Sequence, residues 1–160
     1  MNQKPAAWIK KALLVLMPAL LLVACQTTGS QQSQANLEQN DARSVETHTK
    51  LGFGYYSLGK YGIALEEAKI ALQGNPNYGP AHNLRGLVYM TLKENDEAEK
   101  SFQQALKFAP EDSDIQHNYG SFLCNTKREE LSVKYFLAAL KNPLYPSPER
   151  SLANAGLCLK

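Results

Sequence analysis

"LRGLVYMTLKENDEAEKSFQQALKFAP", Leu84 to Pro110, is the stretch that decides the fold. Its Gly86 has counterparts 34 residues to either side, Gly52 and Gly120, and other positions keep the same step. Three residues past the glycines stand Tyr55, Tyr89 and Leu123, and twelve past stand Ala64, Ala98 and Ser132. Sixteen past are Ala68, Phe102 and Phe136, nineteen past are Ala71, Ala105 and Ala139, and Pro76 and Pro110 close two of the units. A glycine inside a helix costs ~1 kcal/mol relative to alanine, so its recurrence points to a second helix passing close by. Ala64 or Ala98 is expected opposite the glycine, with the aromatic residues filling the space between helices. "NP" at Asn75–Pro76 and "AP" at Ala109–Pro110 end the second helices, because the residue before proline is pushed out of the helical region.

This series resembles the tetratricopeptide repeat, a helix-turn-helix unit of 34 residues. The resemblance implies an all-α superhelix of antiparallel helix pairs, with three full repeats and the start of a fourth. Helix pairs are expected at 45–58 with 61–73, 79–92 with 95–108, and 113–125 with 128–141. Beyond Pro143 the stretch "PLYPSPER" inserts two residues, so that Gly156 falls 36 after Gly120. A last helix, Glu149 to Leu159, then opens a fourth repeat, as a truncated unit or an imperfect cap.

A chain of 160 residues, 44% hydrophobic and 20% charged, has the composition of one modest globular domain. Its formal charge of +2 owes three units to Lys4, Lys10 and Lys11. Without them the balance is 14 basic against 15 acidic side chains, which leaves no surplus to neutralise phosphates, so no nucleic-acid partner is expected. Those lysines precede a 13-residue apolar run, "ALLVLMPALLLVA", from Ala12 to Ala24, the layout of a secretory signal and too short for a comfortable membrane span. The following "LVAC", Leu22 to Cys25, resembles the bacterial lipobox. That resemblance implies cleavage before Cys25 and its lipidation, and Gln26 beside it implies the outer membrane rather than the inner. "QTTGSQQSQANLEQNDAR", residues 26–43, is too polar to bury a core and reads as a tether. The expected organisation is thus a signal peptide at 1–24, a lipidated flexible tether at 25–44 and a repeat domain at 45–160.

Repeats of this class present their first helices to a concave groove. Positions three before, one after and four after each glycine are expected to face it: Thr49, Phe53 and Tyr56; Asn83, Leu87 and Met90; His117, Ser121 and Cys124. The Lys and Asn clamp with which some members hold a terminal carboxylate is missing, so the set favours an apolar segment or amphipathic helix. The alternative is that Phe53 and Leu87 pack between neighbouring repeats. His48 and His82 occupy equivalent places and read as packing, and "KREE" at Lys127–Glu130 reads as a solvated helix start. Metal-protease, hydrolase, Walker and dinucleotide patterns are absent, so no cofactor, metal, small-molecule substrate or catalytic residue is expected.

The lipobox would place the domain in an oxidising compartment, where the two remaining thiols, Cys124 and Cys158, are expected to pair. Two free core thiols are the alternative. A thiol oxidoreductase or zinc site fits poorly, because the pair is not a CxxC and has no histidine company. "NYGSFLC", "LYPSPERS" and "NAGLC" resemble the PilF/PilW family of type IV pilus biogenesis and stability lipoproteins, from Cys25 to the end of the chain. That resemblance implies an outer-membrane lipoprotein on the periplasmic face that helps the pilus secretin, PilQ, to assemble or localise. A general envelope scaffold binding apolar peptide segments is the other function considered.

Overall fold

The structure, a computed structural model, describes residue 39 and residues 41–159. The chain divides into two units, Met1–Asp41 and Ala42–Lys160, and the second is described here. The expected signal peptide, Cys25 and most of the tether lie outside the described residues.

Among the described residues seven helices follow one another without a strand. They are α1 (41–57), α2 (Tyr61–Gly74), α3 (Gly79–Leu92), α4 (Asn95–Phe108), α5 (Ser113–Asn125), α6 (Glu129–Ala139) and α7 (Pro148–Cys158). Each helix from α2 on packs against the next, α1 meets α2 through His48–Glu67 and Tyr56–Tyr61, and α5 touches both α3 and α7. The first helix runs back to residue 41, through the last part of the expected tether, and Val45 is its first buried side chain.

Within each pair the chain reverses through one residue in the left-handed region. Gly59 (φ 73°), Lys93 (φ 63°) and Lys127 (φ 64°) are again 34 apart. The next N–H then reaches back across the turn: Lys60 to the Tyr55 carbonyl, Glu94 to Tyr89 and Arg128 to Leu123, each at 2.9 Å. Those bonds satisfy carbonyls that the helix end would otherwise leave open, as in a Schellman motif. Only the first repeat has glycine at this place, and an L side chain there costs roughly 1–2 kcal/mol. Lys93→Gly and Lys127→Gly are therefore expected to raise stability by up to about 1 kcal/mol each, after the entropy glycine adds to the unfolded chain. A higher denaturant midpoint at unchanged slope is the readout.

The repeating glycines mark close helix approaches. A Cβ on Gly86 would lie 2.9 Å from the Phe102 ring, and one on Gly120 would lie 3.0 Å from the Phe136 ring. The expectation that alanine stands opposite the glycine holds at Gly52, where the Ala64 carbonyl lies 3.4 Å from the Cβ position, and is corrected at Gly86, where the Phe102 ring takes that place. Ala98 and Phe102 are one helical turn apart on the same face of α4, and the ring reaches further, so it covers Gly86. In the first repeat the residue equivalent to Phe102 is Ala68, and Leu84 of α3 fills the room over Gly52 instead. Gly86→Ala should lower stability by about 1–2 kcal/mol through overpacking. Gly54, in the same kind of helix with nothing within 4 Å of its missing Cβ, gives the control. Gly54→Ala should gain up to ~1 kcal/mol from helix propensity alone.

The cores lie between consecutive pairs. Ala64, Ala68, Leu84 and Val88 form one cluster, and Ala98, Phe102, Tyr119, Phe122 and Leu123 form the next. Turns between repeats are tied down by equivalent side chains: His82 Nε2 donates to the Pro76 carbonyl at 2.8 Å, and Gln116 Nε2 donates to the Pro110 carbonyl at 2.6 Å. Asp112 caps α5 by accepting from the N–H groups of Asp114 and Ile115. After α6 the two-residue insertion folds Tyr145 inward, and Pro148 starts α7 where its missing N–H costs nothing.

Candidate functional site

The first helices α1, α3, α5 and α7 lie side by side, and the expected groove positions fall on them in columns. The column three before the glycine is not open surface. Thr49, Asn83 and His117 are buried, 3% exposed each. The reason is the closeness of neighbouring first helices. Asn118 Nδ2 donates to Asn83 Oδ1 at 3.2 Å between α5 and α3, and His117 Nδ1 lies 2.8 Å from Ser151 Oγ between α5 and α7. Thr49 spends its hydroxyl on the Val45 carbonyl at 2.8 Å. Asn83 and His117 thus join neighbouring helices, Thr49 bonds within its own, and all three are buried.

The other two columns remain partly exposed. Phe53, Tyr56, Leu87, Met90, Ser121 and Cys124 each keep some surface open. Phe53 and Tyr56 rest on the cluster of Ala64, Ala68, Leu84 and Val88, while Leu87 and Met90 rest on the cluster around Phe102. Their inner faces therefore pack between repeats and their outer faces stay open. The position five after the glycine, which the sequence reading passed over, links the helices along this surface. Tyr56 Oη and Thr91 Oγ1 are 3.1 Å apart, and Asn125 Nδ2 lies 3.8 Å from the Met90 sulfur. A polar residue at that offset in every repeat, Ser57, Thr91 and Asn125, was the signal.

At the α5–α7 end the surface deepens into a cavity of about 220 Å³ lined by Ser121, Cys124, Asn125, Asn154 and Leu157, with Phe136 behind. Cys124 and Cys158 meet at this end with Cα atoms 5.7 Å apart, a separation that a bridge spans without backbone movement. A larger depression, about 570 Å³, belongs to a different face, where Leu51, Gly54, Tyr55 and Leu58 of α1 line it.

The histidines are structural in their surroundings. His48 Nδ1 pairs with Glu67 at 2.7 Å, and His82 stacks on Phe108 with ring centres 5.6 Å apart. Burial holds His82 below the ordinary imidazole range, opposed by its bond to the Pro76 carbonyl. His117 is pushed down to about 4, first by burial and then by the Arg150 charge. Among the described residues no group of three or more His, Cys, Asp or Glu side chains could hold a metal ion, and no helix is long and apolar enough to cross a membrane. The arrangement offers shape and apolar area along the first helices, which is the equipment of a binding surface.

Residues 79–112 match the tetratricopeptide repeat family. The fold is that of tetratricopeptide-repeat proteins, built as stacked helix pairs. Within that class it is homologous to type IV pilus proteins of the PilF/PilW group. It is 30% identical over 148 residues to the type IV pilus assembly protein PilF of Pseudomonas aeruginosa, covering 92% of this chain and 58% of that protein. The solved structure of Pseudomonas aeruginosa PilF superposes with a TM-score of 0.72 at 28% identity, over 74% of this chain and 54% of the other. The structure of PilW, a widely conserved type IV pilus biogenesis factor, gives a TM-score of 0.67 at 36% identity, over 71% and 52%. This chain thus spans between half and three fifths of the length of these relatives.

Proposed function

We propose that the protein supports type IV pilus biogenesis as a binding partner of other envelope proteins, and that its ligand is an apolar segment of the pilus secretin subunits. The observation that carries this reading is the homology to PilF over nine tenths of the chain, joined to an open, largely apolar row on the first helices. Phe53, Tyr56, Leu87 and Met90 would supply contact area, with Ser121 and the cavity beside Cys124 receiving one end of the segment. Lipidation at Cys25 would fix the protein to the periplasmic face of the outer membrane, where secretin channels assemble. A disulfide between Cys124 and Cys158 would hold α7 against α5 in that compartment. Tetratricopeptide scaffolds are generally non-catalytic, and recognition is the whole of the proposed activity.

Deleting the gene should remove surface pili and leave secretin monomers in place of multimers on a gel. Unchanged secretin multimers would reject the role. The groove is tested separately by Phe53→Asp with Leu87→Asp in protein that keeps its helical circular dichroism. A purified secretin fragment should bind the variant at least about tenfold more weakly, since each charge would face apolar ligand surface without a partner. Equal binding would place the ligand elsewhere.

A further inference from the structure

We propose a second contact surface on the opposite side of the first two repeats, a trough that takes a peptide segment carrying a carboxylate beside an apolar side chain. The trough has a volume of about 450 Å³ and is lined by Leu65, Lys69, Leu72 and Gln73 of α2 and by Arg85 and Tyr89 of α3. Glu66 also lines it, 3.4 Å from Lys69 Nζ.

Arg85 is the cation at the centre of the trough's α3 wall. Its place in the repeat is held by Leu51 in the first unit and by Tyr119 in the third, so the repeat fold does not call for a cation there. Its Nε donates to Ser101 Oγ at 3.0 Å, and Ser101 in turn donates to the Glu97 carbonyl at 2.7 Å. One terminal nitrogen donates to His82 Nδ1 at 3.3 Å, and the other His82 nitrogen is committed to the Pro76 carbonyl. The guanidinium is therefore held in place by neutral acceptors, and no carboxylate of the described residues lies within 4 Å of it. Its remaining N–H groups form the fork that a carboxylate accepts in two parallel bonds. The partly buried guanidinium and Lys69, against Glu66 alone, leave the trough with a net positive charge.

The shape narrows the occupant to a peptide. The α2 contribution runs from Leu65 to Gln73, a stripe of about 12 Å at 1.5 Å per residue. That length matches three or four residues of extended chain at about 3.3 Å each. Leu65, Leu72 and the Tyr89 ring give the apolar wall that a side chain next to the carboxylate would cover.

The test uses the whole chain and an acetylated, amidated peptide of sequence Leu-Leu-Glu-Leu, followed by amide, arginine Nε and methyl NMR signals. The expected result is saturable shifts at Arg85 Nε, Leu65 and Leu72, with the Gln analogue of the peptide binding about tenfold more weakly. Arg85→Met should lose the same factor. Lys69→Ala, on an exposed side chain that cannot threaten the fold, should weaken binding about threefold and reduce its salt dependence. Equal binding of the Glu and Gln peptides, or shifts confined to Phe53, Leu87 and Met90, would overturn the proposal. Anionic vesicles that bind through Arg85 while the peptide does not would overturn it too, as would inorganic phosphate shifting the same signals as strongly as the peptide.

Discussion

Cys124→Ser should lower the stability of the oxidised protein by about 4 kcal/mol, the entropy of closing a loop of the 34 residues between Cys124 and Cys158. The loss should be concentrated in α7. That helix buries little of its own, since Ser151 and Cys158 are its buried residues while Leu152 and Leu157 are 56% and 63% exposed. Its other ties are its packing against α6, the hydrogen bond between Ser151 and His117, and the packing of Tyr145 just before it. Amide exchange along α7 should therefore accelerate far more than exchange in α3 or α4, and wild-type protein under reducing conditions should match the variant. Two reactive thiols in protein kept oxidising would reject the bridge.

The second large effect is a loss of stability in mild acid. His117 has a folded pKa of about 4 against an ordinary value of 6.5, because it is buried against Phe136 and faces the Arg150 charge. The unfolded chain thus binds a proton that the folded chain refuses. The stabilisation is complete above pH 6.5 and is lost as the pH falls from there toward 4, where the folded state also takes up the proton. At 1.36 kcal/mol per unit the full loss is about 3 kcal/mol. His82, also held low by burial, slopes the same way. Denaturant melts at a series of pH values should show this decline, and His117→Gln should remove most of it while leaving the contribution of His82. An NMR titration placing His117 near its ordinary value would defeat the prediction.

Much of this was legible in the sequence. The 34-residue step placed α2 to α5 within a residue or two of their observed ends, because helix boundaries here are set by local chemistry: prolines, turn residues and capping side chains. The step also grouped Gly86 with Gly120 and picked out the rings between the helices, though it put Ala98 opposite Gly86, where Phe102 lies. What it could not supply was the packing between neighbouring first helices. That packing decides whether Asn83 and His117 look outward or, as found, bond to the next helix, and spacing along the chain does not report it. Arg85 escaped notice for a related reason. A lone arginine on a helix carries no signal until its neighbours are known to be a serine and a neutral histidine, with no carboxylate of the described residues within 4 Å.

The glycine column also gives the stack a direction of assembly. The second and third pairs carry their own plug, Phe102 and Phe136, and can close over their glycines unaided. The first pair cannot, because Ala68 is too short and the gap above Gly52 is filled by Leu84 from its neighbour. Part of the interior between α1 and α2 is therefore borrowed from α3, so the expectation is that α1 frays first and orders last.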